Sequence, residues 1–404
     1  MANNPNVMRI LVAFFVLLPF KTVAQVTLAL AALVFIFQPF ELARLYALVA
    51  VAVVQILAKL HSKLEAERCK PPTRFLDTHV HLWPGTLPPW LIGDASLAPI
   101  AVPRVPALGL NPGLACVLSS SLFSLLSLTS PVFDAHRGET IRDYVHAMGQ
   151  HLDRCIYMEV DVAPSERERE ASEVVSLCAD PDNPLCGCVI GAPIVDGTVD
   201  DFKEWVRRWS VHSAVKGVRQ VLHPHPPRMC LRPSIVEKAQ LCGQPDVDLV
   251  FELCMRADDL EAAAELAAMA PRTRFVVDHC GGHHQLTGAA PPGMRAAWEA
   301  GIKSLAKLPN VYCKLSGLMG AQGGTDNAGG VKGWQPAMQK STVRYCVDHF
   351  PPTRLLFGGD WPVCTLSASV SEWAACCAEI LDEAGYSDAD KAQLARTAEE
   401  CYRL

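Results

Sequence analysis

Short apolar runs rich in β-branched residues alternate with longer amphipathic runs from residue 71 onward. Such an alternation predicts βαβ units whose strands form a parallel sheet. Helix-like stretches such as Asp258–Met269 and Gln335–His349 lie between the strands. The predicted strands are Arg74–Leu82, Cys155–Val162, Gly187–Val195, Ala214–Leu222, Leu249–Met255, Arg274–Cys280, Asn310–Ser316 and Arg354–Trp361. Eight strands joined by crossovers favour a closed barrel, so we predict an α/β fold of the (β/α)8 TIM-barrel class.

One long passage, residues 83–154, interrupts this alternation and contains many prolines. It lies between the first two predicted strands, and we expect it to form a large loop over the mouth of the barrel. The last stretch, Ala384–Leu404, is predicted to form the final helices that close the barrel. Residues 71–404 are sufficient for one barrel of roughly 250 residues with insertions.

The first sixty residues have a different pattern, because only five of them carry a formal charge. The stretch Thr22–Phe40 has no charge, and its length is close to the roughly 20 apolar residues that cross a bilayer. A second apolar run, Leu42–Leu60, follows a break at residues 38–41. The pattern therefore indicates an N-terminal apolar helical membrane segment within residues 10–60. It is either a hairpin that crosses twice or one span beside an interfacial helix.

A retained anchor is favoured over a cleaved signal peptide or a transit peptide. The run Ile10–Phe20 has signal-peptide length, but no A-x-A-like site follows it before more apolar sequence begins. A transit peptide would be rich in Arg and Ser, and this segment is not. Basic residues follow the last apolar run, namely Lys59, Lys63, Arg68 and Lys70. The positive-inside rule then predicts a membrane anchor and linker over 1–70 and a cytosol-facing catalytic domain over 71–404.

Composition narrows the classes of function. Among 404 residues, 50% are hydrophobic and 19% are charged, which is typical of a globular protein. The net charge of −6 argues against a nucleic-acid partner, which would require a basic face. All 16 cysteines lie at or after Cys69 without paired CxxC spacing, and this fits a reducing compartment. A small-molecule substrate is the expected partner, and the sequence does not predict an oligomeric state.

The sharpest chemical signal is the run Asp77-Thr78-His79-Val80-His81 at the end of the first predicted strand. Side chains alternate between the two faces of a strand, so His79 and His81 should point the same way with Asp77 beneath them. Two imidazoles that converge at the C-terminal end of a strand form half of a metal site or an electrophilic clamp.

A second signal ends the last predicted strand, where Gly358 and Gly359 precede Asp360 and Trp361. Glycines allow a tight turn or a close approach to a ligand, and the turn would present Asp360 at the barrel mouth. Taken alone, Asp360 is equally well explained as a helix cap or a hydrogen-bonded core acid.

Ionisable residues end most of the remaining strands, namely Glu159, Arg219, Glu252, His279 and Lys314. Ionisable groups are costly to remove from water unless they face a polar cavity or one another. Five separate structural ion pairs would be needed to explain them one by one. A shared active site explains them together.

The motifs DTHVH, VKGVRQVLH, RFVVDHCG, NVYCKLSG and LLFGGDWPVC, taken in this order, resemble the amidohydrolase-related (amidohydrolase-2) family. Within it they are most similar to sugar-lactone hydrolases, such as the L-fuconolactonases and L-rhamnonolactonases. The resemblance covers residues 74–404, is weak over 83–130 and does not include the N-terminal segment. It implies a barrel hydrolase that opens a lactone with water.

The resemblance also implies site residues. His79, His81, His279 and Asp360 match the family's catalytic positions, while Glu159, Arg219, Glu252, Lys314 and Trp361 are predicted to contact substrate. In the hypothesised reaction, Asp360 takes a proton from water that attacks the lactone carbonyl. His79 and His81, or a metal that they hold, polarise that carbonyl. His279 or Lys314 donates to the departing oxygen, and Arg219 binds a carboxylate or hydroxyl of the substrate.

The cofactor and the reaction class both have alternatives. One divalent ion, zinc by preference, would bind His79, His81 and either Asp360 or Glu252. Metal-dependent relatives carry a histidine or modified lysine where this chain has Glu252, so a metal-independent mechanism also stays open. The alternative reaction is a metal-dependent decarboxylation of an unsaturated or aromatic acid. The alternative without catalysis is a membrane-tethered barrel that binds or scaffolds.

Overall fold

Eight parallel strands form a closed barrel in the computed structural model, in which each strand pairs with the next and β8 pairs with β1. The structure describes residues 72–82, 140–282, 291–318, 337–366 and 368–404, with isolated helical positions at 53, 55, 56 and 59. The strands are β1 Phe75–Val80, β2 Leu152–Met158, β3 Leu185–Gly191, β4 Val215–Arg219, β5 Val250–Leu253, β6 Phe275–Val277, β7 Val311–Leu315 and β8 Leu355–Phe357. The predicted α/β barrel is confirmed.

Helices follow the strands and cover the outside of the barrel. They are α1 Ile141–Met148, α2 Arg167–Cys178, α3 Val199–Trp209, α4 Pro233–Cys242, α5 Leu260–Met269, α6 Met294–Ala306, α7 Ala337–His349, α8 Val370–Glu383 and α9 Asp388–Tyr402. Short 3-10 turns occur at Gly149–His151, Pro164–Glu166, Met229–Leu231, Pro352–Arg354 and Val363–Leu366. Most predicted strands extend past the observed C-terminal ends, because the residues that follow each strand no longer pair with the neighbouring strands.

The prediction of one large loop over residues 83–154 is wrong at its C-terminal end. Residues 141–148 form α1, and β2 begins at Leu152; residues 83–139 lie outside the described residues. Thr140 begins α1 because its hydroxyl accepts from the Asp143 backbone while the Asp143 carboxylate accepts from the Thr140 backbone. Tyr144 and Met148, four residues apart, form the buried face of this helix.

The predicted membrane segment lies almost entirely outside the described residues. In the ranges that the structure does describe, every helix is too short or too polar to cross a membrane. The chain divides into two units, Met1–Pro71 and Pro72–Leu404. The second unit contains the barrel.

Two apolar clusters organise the barrel. The larger one lies between the strands and the surrounding helices. The smaller one contains alternate strand residues, such as Val250 and Val276, together with Ala398, Cys401 and Tyr402 of α9. Arg274 at the start of β6 donates to the carbonyl of Cys401, so α9 closes the N-terminal end of the barrel. This outcome confirms the predicted closing role of the C-terminal helices.

Candidate active site

The end of β1 is irregular, and this decides which way its side chains point. The pairing with β2 shifts register between Asp77 and Val80, so the simple alternation of faces stops there. Leu76 belongs to the interior cluster, whereas Phe75 and Val80 belong to the outer one. The prediction that Asp77 lies beneath the two histidines on one face is therefore wrong.

Asp77 instead joins β1 to β8 and to α1. Its Oδ1 accepts from the backbone N–H of His79 at 2.9 Å and of Gly359 at 2.8 Å. Its Oδ2 accepts from the Tyr144 hydroxyl at 2.7 Å. Burial raises the pKa of Asp77 to about 6 despite these donors. Position 359 requires glycine, because a Cβ there would lie 2.3 Å from Asp77 Oδ2.

Trp361 contributes to the same junction. Its carbonyl accepts from the backbone N–H of His81 at 2.7 Å, and its ring lies 5.5 Å from the ring of Tyr144. The side chain is buried. The position of Trp361 thus supports the strand ends, and the predicted contact with substrate stays a prediction.

His79, His81 and Asp360 converge at the C-terminal end of the barrel. Asp360 Oδ1 lies 3.4 Å from His81 Nε2 and 3.6 Å from His79 Nε2. The backbone N–H of Asp360 donates to the carbonyl of His79 at 2.8 Å, and Asp360 has a left-handed φ of 55°. With His279, whose ring centroid is 4.6 Å from that of His79, these residues form what we call the mouth cluster.

His79 in β1 and His81 directly after it both present Nε2 to Asp360. His81 Nδ1 lies 3.0 Å from the carbonyl of Met158, so Nδ1 carries the proton and Nε2 is an acceptor. His79 Nδ1 lies 3.2 Å from Asp278 Oδ1, and the same reasoning makes its Nε2 an acceptor, which Arg219 Nη1 approaches to 3.3 Å. Such a carboxylate–histidine pair is the usual partner arrangement of a metal-bound imidazole.

Electrostatics keeps Asp360 ionised. Burial raises the pKa of Asp360, but His279, His81 and His79 outweigh burial and hold this pKa well below the ordinary carboxyl value. Burial lowers the pKa of His79 well below its ordinary value, although Asp278 opposes the shift. The cluster therefore presents an ionised carboxylate beside His79, whose neutral form burial favours.

The mouth cluster is able to hold a metal ion. Zinc bonds of about 2.0–2.2 Å in a tetrahedron place neighbouring ligand atoms roughly 3.3–3.6 Å apart. Asp360 Oδ1 meets this spacing with the Nε2 atoms of His79 and His81, and the three ligand atoms all lie within 4.8 Å of one another. One feature also supports a metal-independent site: Arg219 Nη1 lies 3.3 Å from His79 Nε2 and already brings a positive charge there.

His279 follows β6 in a turn of left-handed residues, with φ values of 54° at His279 and 50° at Cys280. Its backbone N–H donates to Ser316 Oγ at 3.2 Å, and Ser316 Oγ lies 3.0 Å from His279 Nδ1. When the hydroxyl donates to Nδ1, the ring proton is on Nε2. Burial lowers the pKa of His279, which favours a neutral ring whose N–H donor in this tautomer is Nε2.

Gly317 makes room for that ring. It has a φ of 61°, and a Cβ at this position would lie 2.2 Å from His279 Nδ1. A side chain at position 317 would therefore be strained and would also displace His279.

The described contacts of the Arg219 guanidinium are all with neighbouring protein groups. Its Nε donates to Glu159 Oε1, its Nη2 to the Glu159 carbonyl at 2.6 Å, and its Nη1 to Asp278 Oδ2 at 3.3 Å. Burial lowers the pKa of Arg219, but Glu159 and Asp278 raise it well above the ordinary value. Arg219 and Glu159 form a buried ion pair beside the mouth cluster.

Lys314 and Glu252 lie deeper, with no solvent exposure. Lys314 Nζ lies 3.0 Å from Glu252 Oε2 and 3.0 Å from Asp278 Oδ1, and the hydroxyl of Tyr402 donates to Glu252 Oε1. Burial raises the pKa of Glu252 to about 8, although Lys314 lowers it. The groups of described residues that could hold a metal ion do not include Glu252, and its role as an alternative metal ligand stays a prediction. We call Glu252, Lys314 and Tyr402 the closed-end network.

Four residues of the site were missed by sequence reasoning: Asp278, Ser316, Tyr144 and Tyr402. Asp278 lies next to His279 in the motif RFVVDHCG, and Ser316 lies two residues after Lys314 in the motif NVYCKLSG. These positions beside predicted site residues were the signal that could have identified them. Tyr144 and Tyr402 are remote in the chain from the residues they contact. No sequence signal pointed to them.

Comparison with known proteins supports the family. The Amidohydrolase family model matches residues 76–404. The L-fucono-1,5-lactonase of Burkholderia multivorans is 32% identical over 165 residues, or 39% of this chain and 52% of that relative. The L-fucono-1,5-lactonase of Burkholderia ambifaria is 33% identical over 141 residues, or 33% of this chain and 43% of the relative. The chain thus spans about half the length of the curated relatives it matches.

A solved structure supports the same fold. The crystal structure of an amidohydrolase from Burkholderia multivorans with bound zinc aligns with a TM-score of 0.59 at 21% identity. The alignment covers 82% of this chain and 100% of that one. The resemblance to amidohydrolase-related proteins is confirmed, and this chain belongs to the amidohydrolase family.

Proposed function

We propose that this protein is a hydrolase that opens a sugar lactone by attack of water. The convergence of His79, His81 and Asp360 with a neutral His279 at one end of a closed barrel carries the proposal. A carboxylate, imidazole acceptors and an N–H donor are the groups that acyl transfer to water requires. The match of part of the chain to two L-fucono-1,5-lactonases supports a lactone as the substrate.

In this proposal Asp360 is the general base. Its low pKa keeps it ionised at neutral pH, so it accepts a proton from the attacking water while the carbonyl carbon gains the new C–O bond. His279 donates a hydrogen bond through Nε2–H to the departing ring oxygen, because Ser316 occupies its Nδ1. The ring C–O bond then breaks, and the proton that Asp360 took from water passes to the departing oxygen, so that the product is a hydroxy acid and Asp360 is again a carboxylate.

The charged residues beside the mouth cluster act through it in this proposal. Arg219 and Lys314 both contact Asp278, which in turn contacts His79. They keep Asp278 ionised and hold His79 with its Nε2 toward the reacting centre. Glu159 neutralises Arg219. The earlier hypothesis of Lys314 as proton donor to the leaving oxygen is not retained, because its ammonium has no solvent exposure and lies between two carboxylates.

We further propose that His79, His81 and Asp360 bind one zinc ion. When bound, zinc would supply a Lewis acid that polarises the lactone carbonyl. The ligand-atom spacing and the carboxylate–histidine pair of Asp278 and His79 support this assignment. The bound zinc of the Burkholderia multivorans amidohydrolase is consistent with it.

A substrate screen tests the reaction class. The purified full chain is assayed with L-fucono-1,5-lactone and other sugar lactones, and with carboxylated aromatic acids whose decarboxylation releases carbon dioxide. We expect lactone hydrolysis that falls by about 10²- to 10⁴-fold in Asp360→Asn, with unchanged circular dichroism. Carbon dioxide release without lactone hydrolysis would replace the proposal with a lyase. Full lactonase activity in Asp360→Asn would overturn the base assignment.

Metal analysis tests the zinc assignment separately. We expect one zinc per chain in the wild type and a loss of about 10- to 100-fold or more in zinc affinity in His81→Gln. The matched control is His151→Gln, because the ring of His151 contacts the carbonyl of Thr73 outside the site. Equal zinc content in all three proteins would contradict the assignment, and a zinc-free active enzyme would favour the metal-independent mechanism.

We also propose that residues 10–60 hold the protein at a membrane, with the barrel facing the cytosol. The uncharged stretch Thr22–Phe40 and the basic residues after Leu60 support this proposal. Fractionation of the full chain against a chain that lacks residues 1–70 tests it. We expect the full chain in the membrane fraction and the shortened chain in the soluble one. A soluble full chain would remove the proposal.

A further inference from the structure

Tyr402 connects the C-terminal helix to the inside of the barrel. It is the last residue of α9 and is 1% exposed. Its ring packs in the interior cluster with Val250 and Val276, and its hydroxyl donates to Glu252 Oε1. A hydroxyl in this apolar layer is costly to bury without a partner, and Glu252 provides that partner.

A continuous series of buried contacts leads from Tyr402 to the mouth cluster. Glu252 Oε2 accepts from Lys314 Nζ at 3.0 Å. Lys314 Nζ also lies 3.0 Å from Asp278 Oδ1, and Asp278 Oδ1 lies 3.2 Å from His79 Nδ1. Glu252, Lys314 and His79 each have no exposed surface, and Asp278 is 1% exposed, so solvent does not screen these contacts.

We infer that Tyr402 is a positioning residue for His79. The hydroxyl holds Glu252 Oε1, which fixes Glu252 Oε2 and with it the place of the Lys314 ammonium between two carboxylates. Lys314 then holds Asp278 against the Nδ1 proton of His79, and this keeps Nε2 of His79 as the acceptor in the mouth cluster. The inference rests on the proposed function for its activity readout alone.

The loss of the hydroxyl should therefore change the surroundings of His79, which is three contacts away because Lys314 Nζ also lies 3.4 Å from His79 Nδ1. Without the Tyr402 hydroxyl, Glu252 Oε1 has lost its hydrogen-bond donor in the barrel interior. Glu252 must then move, or Lys314 Nζ must move closer to it. Either movement shifts Lys314 relative to Asp278, because one ammonium serves both carboxylates at equal distance. The 3.2 Å contact of Asp278 Oδ1 with His79 Nδ1, which favours one His79 tautomer, then changes together with the 3.4 Å approach of Lys314 Nζ to the same nitrogen.

Tyr402→Phe removes this hydroxyl with little other change. The phenyl ring keeps the interior packing and the 5.9 Å approach of Lys314 Nζ to the ring centroid. The expected destabilisation is that of one buried hydrogen bond, which a folded domain tolerates. Tyr157→Phe is the matched control, because the buried hydroxyl of Tyr157 donates to a buried glutamate, Glu170, outside the series that leads to His79.

The experiment compares the full-length wild type, Tyr402→Phe and Tyr157→Phe. The ring nitrogens of ¹⁵N-labelled histidine report which nitrogen carries the proton, and the His79 signals are assigned by their absence in His79→Gln. The melting temperature of each variant measures the structural cost. On a hydrolysed lactone, kcat and KM are measured for all three proteins.

We expect both phenylalanine variants to lose similar stability. Only Tyr402→Phe should change the ¹⁵N shifts of His79, and it should lower kcat by about tenfold with KM unchanged. The inference is overturned if Tyr402→Phe leaves the His79 shifts at their wild-type values, or if Tyr157→Phe moves them equally. If no lactone is hydrolysed by the wild type, the proposed function fails, while the His79 shifts still decide the inference.

Discussion

The mouth cluster and the closed-end network are both polar, buried and inside one barrel, yet their atoms are arranged differently. In the mouth cluster, Asp360 Oδ1 stands 3.4 Å and 3.6 Å from two histidine nitrogens. In the closed-end network, Glu252 Oε2 and Lys314 Nζ are 3.0 Å apart, and the Tyr402 hydroxyl donates to the other carboxylate oxygen. In the mouth cluster, two histidine nitrogens converge on one carboxylate oxygen. In the closed-end network, each oxygen of Glu252 has its own hydrogen-bond donor.

The two acids of these regions show the consequence. Burial raises the pKa of both, but the imidazoles around Asp360 outweigh burial, whereas Lys314 does not outweigh it at Glu252. The pKa of one buried carboxyl group is thus held below its ordinary value, and the pKa of the other is raised above it. The comparison teaches that burial alone does not decide the pKa of an acid. The orientation of neighbouring acceptors and donors does.

The largest expected effect comes from Asp278, which contacts both regions. Asp278→Asn leaves Arg219 and Lys314 without the carboxylate that they share and removes the partner of His79 Nδ1. We expect the proposed lactonase activity to fall by about 10- to 100-fold and the free energy of unfolding to fall by about 3–5 kcal/mol. Steady-state kinetics and denaturant unfolding measure the two. Wild-type values in both would show that the two regions are independent.

A smaller effect is expected within the mouth cluster. Ser316→Ala removes the hydroxyl that keeps the His279 proton on Nε2. The loss of one hydrogen bond of about 0.5–1.5 kcal/mol corresponds to a decrease in kcat of about 2- to 12-fold. Ser369→Ala, which removes the N-cap of α8, is the control: it should lower the melting temperature without lowering kcat. A decrease of kcat in the control alone would reverse the assignment.

The smallest effect is expected at the closed end and concerns pH. The folded-state pKa of Glu252, about 8, lies above its ordinary value of 4.5. Its contribution to stability is therefore complete below pH 4.5 and is lost as pH rises through about 8. Glu252→Gln cannot ionise, so its free energy of unfolding should decrease less than that of the wild type over this interval. Denaturant unfolding at several pH values measures both slopes, and parallel slopes would refute the assigned pKa.

The alternation of apolar and amphipathic runs was sufficient to predict the barrel. All eight strands were predicted, and their ends differ from the observed ones mainly by a few C-terminal residues. The placement of Asp77 could not be predicted from alternation, because the register shift in β1 depends on pairing with β2. Likewise α1 was not predicted within the proline-bearing passage, because only two of its residues, Tyr144 and Met148, form a buried face.

For the site, the sequence by itself determined which residues stand at the ends of the strands: His79, His81, His279 and Asp360 all come together where the pattern predicted. This follows from topology, because the C-terminal ends of parallel strands in a closed barrel must meet at one face. Only the tertiary structure decided how each charge is used. It paired Arg219 with Glu159, directed Lys314 to Asp278, and brought Tyr402 from the end of the chain to Glu252. These are contacts between residues 36 to 150 positions apart in the chain, and contacts over such separations depend on packing rather than on any local pattern.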